Sequence, residues 1–110
     1  MFKIVADPTF VAPVPLSRPG LSAPIVVQVT YRYKNRDELR AWIARSGTVD
    51  DVQYLDEVIE SWTGFQDEKG EAVPYSVTAL SDILARFTPS RGEFFRTYLS
   101  ELTDSKRKNS

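Results

Sequence analysis

The sequence predicts a small α+β domain: an N-terminal antiparallel β-hairpin followed by about four α-helices. Three observations carry this. The first third of the chain alternates apolar with polar residues, the period of a half-buried strand. The rest places apolar residues three and four apart behind helix-capping residues. A length of 110 residues suits one domain, 1–110, with one modest core drawn from its 42% hydrophobic residues.

The elements follow in order. Phe10, Ala12, Val14 and Leu16 alternate with Val11, Pro13 and Pro15. Proline has no N–H to give to a ladder, so this strand belongs at an edge, paired on one side only. Residues 17–24, rich in Ser, Pro and Gly, form a loop. Val27, Val29, Tyr31 and Tyr33 then alternate with Val26, Gln28, Thr30, Arg32 and Lys34, one face buried and one largely wet.

Asn35 with Glu38 reads as a capping box, and Leu39, Trp42 and Ile43 share a helix face that ends before Gly47. Thr48 caps the next helix, with Asp50 and Asp51 favoured by its N-terminal dipole. Val52, Leu55, Ile59 and Trp62 make its single apolar stripe. Asp67-Glu68-Lys69-Gly70 is a polar turn, Ser76 an N-cap, and Val77, Leu80, Ile83, Leu84 and Phe87 the third stripe. Thr88-Pro89 stops that helix. Ser90 with Glu93 is a second capping box, opening a helix with Phe94, Phe95, Tyr98, Leu99 and Leu102. Residues 104–110 read as a polar, flexible tail.

Composition narrows the chemistry. The chain has no cysteine and no histidine, which removes disulfides, thiolate nucleophiles, Cys/His metal sites and an imidazole base. Serine and lysine remain, but S-x-x-K does not occur, and no glycine-rich phosphate loop is present. No enzyme is predicted, and no cofactor. Asp56 and Glu60, read as i, i+4 on a helix, are a candidate Mg²⁺ or Ca²⁺ pair that serves better as a solvated acidic face. No apolar run approaches a membrane span, and Pro8 follows the N-terminus closely, so a cytosolic domain without signal peptide is expected.

The net charge of −1 argues against a general nucleic-acid binder. It is unevenly spread: residues 50–71 carry eight acids and one base, while 32–45 and the segment from 86 onward are basic. Opposite blocks of this kind can pair within the fold or between copies in a homo-oligomer. The segment Tyr31-Arg32-Tyr33-Lys34-Asn35-Arg36 interleaves aromatics with bases, which makes Arg32, Lys34 and Arg36 an alternative nucleic-acid face. The period of two sends tyrosines and bases to opposite sides of a strand, which favours a core role for the former.

Trp62, Phe65, Phe94, Phe95 and Tyr98 are a heavy aromatic load for this length. Phe94 and Phe95 are adjacent, about 100° apart on a helix, so both cannot sit at the centre of one narrow stripe. These five are the expected partner-binding residues, since an exposed aromatic marks an interaction surface.

Four stretches also carry a family likeness. They are Asp7-Pro8-Thr9-Phe10-Val11-Ala12-Pro13-Val14; Val29-Thr30-Tyr31-Arg32-Tyr33-Lys34-Asn35-Arg36-Asp37-Glu38-Leu39; Trp62-Thr63-Gly64-Phe65 with Pro74-Tyr75-Ser76 and Leu80 to Leu84; and Tyr98-Leu99-Ser100-Glu101-Leu102 before a basic tail. In their order the chain resembles the tail assembly chaperones of long-tailed bacteriophages and prophages, in the type with a proline-rich N-terminal hairpin. The resemblance implies a non-enzymatic protein of the bacterial host cytoplasm. It would bind the tape measure protein and keep it soluble until the tail tube polymerises, with the tube protein as a second partner. The alternatives are a small phage nucleic-acid-binding or regulatory protein and a minor structural tail component.

Overall fold

The computed structural model describes residues 7–104. The hairpin is present, and it gains a third strand. β1 (Thr9–Leu16), β2 (Ile25–Arg32) and β3 (Ile59–Thr63) form an antiparallel sheet in that order. Four helices accompany it: α1 (Arg36–Ala44), α2 (Asp51–Asp56), α3 (Val77–Arg86) and α4 (Ser90–Thr103). The fold is α+β, as the alternation and the capping signals predict.

The register follows the apolar pattern. Ala12 pairs with Val29, Val14 with Val27 and Leu16 with Ile25. Ala12, Val14, Val27, Val29 and Tyr31 all lie on one face and are fully enclosed. Ile59 and Trp62 of β3 extend that face, and a bulge between Thr30 and Tyr31 lets both point inward although they are three apart. Over them pack Leu39 and Trp42 of α1, Tyr54 and Leu55 of α2, Leu80 of α3, and Phe94 and Tyr98 of α4. The helices therefore cover one side of the sheet, and the other side is open.

Caps bear on where the helices start. Asn35 and Glu38 make the predicted reciprocal box, each bond 2.9 Å long, and Ser76 accepts from the Ala79 N–H. Four expectations need correction. The N-cap of α2 is Asp50, not Thr48, because the Asp50 carboxylate takes the Gln53 N–H while the Thr48 hydroxyl turns back to Arg45 O. That helix stops at Asp56, and Ile59 and Trp62 sit in a strand rather than on its stripe. Ser90 and Glu93 form no capping box: Ser90 donates to Phe87 O, and Glu93 reaches across to Ser17. Ile43 and Val77, placed on apolar stripes, lie largely exposed. The tail expected over 104–110 lies outside the described residues except for Asp104, which is exposed.

Among the described residues, no helix is long and apolar enough to cross a membrane.

Candidate partner-binding face

The site begins with the pleat of the hairpin. Since the even residues of β1 face the core, Val11, Pro13 and Pro15 must face away from it. Pro13 is opposite Gln28, and Pro15 opposite Val26. Gln28 and Thr30 are opposite Thr63 and Ser61 on the third strand. The outer face is thus built from valine, proline, glutamine, threonine and serine. Val11 is 61% and Val26 53% exposed. Charge enters only at its far end, where Arg32 meets Glu60 at 3.5 Å. An open apolar patch of this kind is what a binding surface looks like before its partner arrives.

The outer edge of β1 is closed to strand pairing. The Tyr33 N–H donates to Pro8 O, so the even residues of β1 turn their backbone toward β2 and the odd ones turn theirs to the open edge. At positions 13 and 15 that edge holds prolines, which offer no N–H. At position 17 the N–H donates to both Glu93 carboxylate oxygens, at 3.1 and 3.0 Å, and the Ser17 hydroxyl donates to the same group. Beside this edge, Pro13, Pro15, Pro24, Glu93 and Arg96 line a shallow groove of about 460 Å³. A partner gains little by adding a strand here, so the flat face is the more usable surface.

The five aromatic residues expected to bind a partner are placed otherwise. Trp62, Phe94 and Tyr98 are buried, while Phe65 and Phe95 are half-buried and packed against the core. Each has a structural partner. Trp62 Nε1–H donates to Val73 O at 2.9 Å and its ring lies 4.3 Å from that of Phe65. Tyr98 donates to Arg32 O, and Phe94 O accepts from Tyr31. Phe95 lies 5.4 Å from Trp42 and takes the Arg91 guanidinium over its ring. The adjacent pair is thus resolved by a sheet below Phe94 and a second aromatic layer beside Phe95, so the aromatic load is core.

The basic strand is also engaged. The Arg32 guanidinium donates to the carbonyls of Asp56, Glu57 and Ile59, and Lys34 pairs with Glu57 at 2.8 Å. Arg36 is exposed at the start of α1. Glu57 also receives both Arg45 amines at 2.9 Å; that bond first, and Lys34 with it, hold its carboxyl down at about 2. Asp56 and Glu60 do not share a helix face: Asp56 ends α2 and accepts from Tyr75, while Glu60 lies in β3. No group of three or more metal-ligating side chains occurs among the described residues.

A second concavity opens at the end of the sheet where β1 finishes and β2 begins. It is a cleft of about 930 Å³, floored by Leu16, Val27, Phe65, Ile83 and Phe87. One wall is the loop after β3, with Asp67, Glu68 and Glu71; the other is α3, with Asp82 and Arg86. Gly64 makes this shape possible: it has φ of +110°, and a side chain there would meet the Val27 backbone at 3.2 Å.

The open face was legible only as the outward half of an alternation, since Val11 and Val26 carry no signal of their own. The cleft depends on the third strand, whose inward residues Ile59 and Trp62 fall at helical spacing in the sequence. Comparisons with family models, with curated proteins and with solved structures give no match.

Proposed function

We propose that the chain is a non-enzymatic tail assembly chaperone that holds the tape measure protein of a long-tailed phage soluble until the tail tube polymerises. The observation that carries this reading is the open face of the hairpin, where Val11, Pro13, Pro15 and Val26 present apolar surface with no charge among them. A tape measure protein is a very long helical chain whose apolar stripes are bare before the tube forms. An uncharged sheet face receives such a stripe without desolvating an ion, and each Å² of apolar area covered contributes roughly 25 cal/mol. Each contact is small, so repetition along the long chain supplies the avidity while single units stay displaceable by tube subunits. The order of segments, similar to that of the chaperone family, supplies the identity of the partner and the host cytoplasm as the place.

The test is co-expression with a tape measure protein of a long-tailed phage, followed by co-purification. The two should elute together, and the long protein should stay soluble only in this company. The double variant Val11→Lys/Val26→Lys changes exposed residues alone, so it should fold as before and lose the partner. A long protein equally soluble alone, or one retained by the double variant, overturns the reading.

A further inference from the structure

We infer that the chain associates head to tail: the basic segment after α4, Lys106-Arg107-Lys108, docks into the cleft between the 64–72 loop and α3 of a second copy. The cleft supplies the receiving chemistry. Its floor is apolar, and its loop wall carries three carboxylates, Asp67, Glu68 and Glu71, against the single ammonium of Lys69. Asp67 is committed to the turn, where it accepts the N–H groups of Lys69 and Glu71. Among the described residues Glu68 and Glu71 are exposed and make no ion pair. The two arginines of the cleft are held elsewhere: Arg86 pairs with Asp82 at 2.9 Å, and Arg18 lies over the Phe87 ring.

The fold makes the occupant a second copy rather than the same chain. α4 starts beside the cleft, where the Ser90 N–H donates to Phe87 O, and runs away from it toward the far end of β2, where Tyr98 donates to Arg32 O. Its 14 residues span about 21 Å. Lys108 lies four residues past Asp104, so even a fully extended chain carries its Cα only about 14 Å. The carboxylates lie farther still, past the end of β3 and across the sheet from β1, on which α4 packs. α4 therefore ends, ahead of the three positive charges in the sequence, at one end of the molecule, and the waiting carboxylates occupy the other. Made singly, such a contact joins unlike surfaces and repeats from copy to copy, whereas a reciprocal exchange of the two tails closes as a twofold dimer; association that stops at two copies therefore overturns the head-to-tail arrangement. This inference stands apart from the identity of any other partner.

Sedimentation velocity on the full chain, at low and high salt, tests it. The wild type should associate progressively with concentration at low salt and dissociate at high salt, because exposed pairs are screened. The variants Lys106→Glu/Arg107→Glu/Lys108→Glu and Glu68→Lys/Glu71→Lys should each weaken association about tenfold or more. A chain carrying both sets should recover it, which also shows that neither set merely spoils the fold. A wild type that stays monomeric at low salt overturns the inference. So does association that either variant leaves unchanged, or a doubly reversed chain that fails to recover.

Discussion

Glu93 is a buried carboxylate on α4 whose bonded partner is the first residue of the hairpin loop, Ser17. It ties the end of β1 to the helix layer over a separation of 76 residues. Hydrogen bonds to a charged group contribute more than neutral ones, so Glu93→Ala should lower stability by about 1–3 kcal/mol in urea unfolding, with Glu93→Gln between it and the wild type. A second residue sets the acid limit. Glu57 is held at about 2 by Arg45 and Lys34, below its unfolded value near 4.3. Its contribution is therefore complete above the unfolded value and is lost as pH falls from about 4.3 toward 2. Urea midpoints measured across this range should fall less steeply in Glu57→Gln than in the wild type.

β1 pairs with β2 on one side and shows prolines on the other, which is how an edge strand avoids recruiting another. Replacing Pro13 and Pro15 by threonine restores two outward N–H groups on a strand that keeps its inward residues. The fold should survive, and light scattering should show irreversible aggregation that the wild type lacks. The hairpin and the starts of α1 and α3 were legible because one local rule decides each: alternation sets the strand faces, Asn35 with Glu38 closes one helix start, and Ser76 closes the other. The stretch from Val52 to Trp62 was not. Val52, Leu55, Ile59 and Trp62 fall at helical spacing, but a six-residue helix, a turn and a bulged strand bury Leu55, Ile59 and Trp62 equally well. Pairing with β2 decides between them, and no local pattern carries that information. Ser90 differs for a related reason: the residues of a capping box are present, and a distant donor at Ser17 has the better claim on Glu93. The aromatic load is a surplus only for a helical core. The third strand enlarges that core until Trp62, Phe94 and Tyr98 all fit inside.

At the scale of the whole molecule, sheet, loop and helix are joined through tyrosines. Tyr31 of β2, Tyr75 before α3 and Tyr98 of α4 are all held neutral well above the ordinary tyrosine range. Burial is the main cause in each; neighbouring acidic groups add to it, and Tyr75 also donates to Asp56. A raised folded value means that the stabilisation is whole below the unfolded value near 10 and is lost as pH rises past it. These rings should ionise only as the molecule opens. In an alkaline titration the later part of the tyrosinate absorbance should rise together with the loss of helical circular dichroism; a rise completed before the helices melt would contradict the shared core. The same molecule sets the carboxylates of the 64–72 loop near the start of α4, and in the sequence a basic segment follows the helix's other end. Trp42 and Tyr54 lie parallel, centroids 4.2 Å apart, and each donates its polar hydrogen to the other's backbone carbonyl. The second tryptophan, Trp62, packs instead at a tilt against Phe65, at the seam of sheet and loop. The chain thus carries two tryptophans in separate layers, one reporting the clasp of α1 on α2 and the other the seam beneath the cleft. With either one replaced by phenylalanine, the fluorescence of the tryptophan that remains follows its own layer without an attached dye.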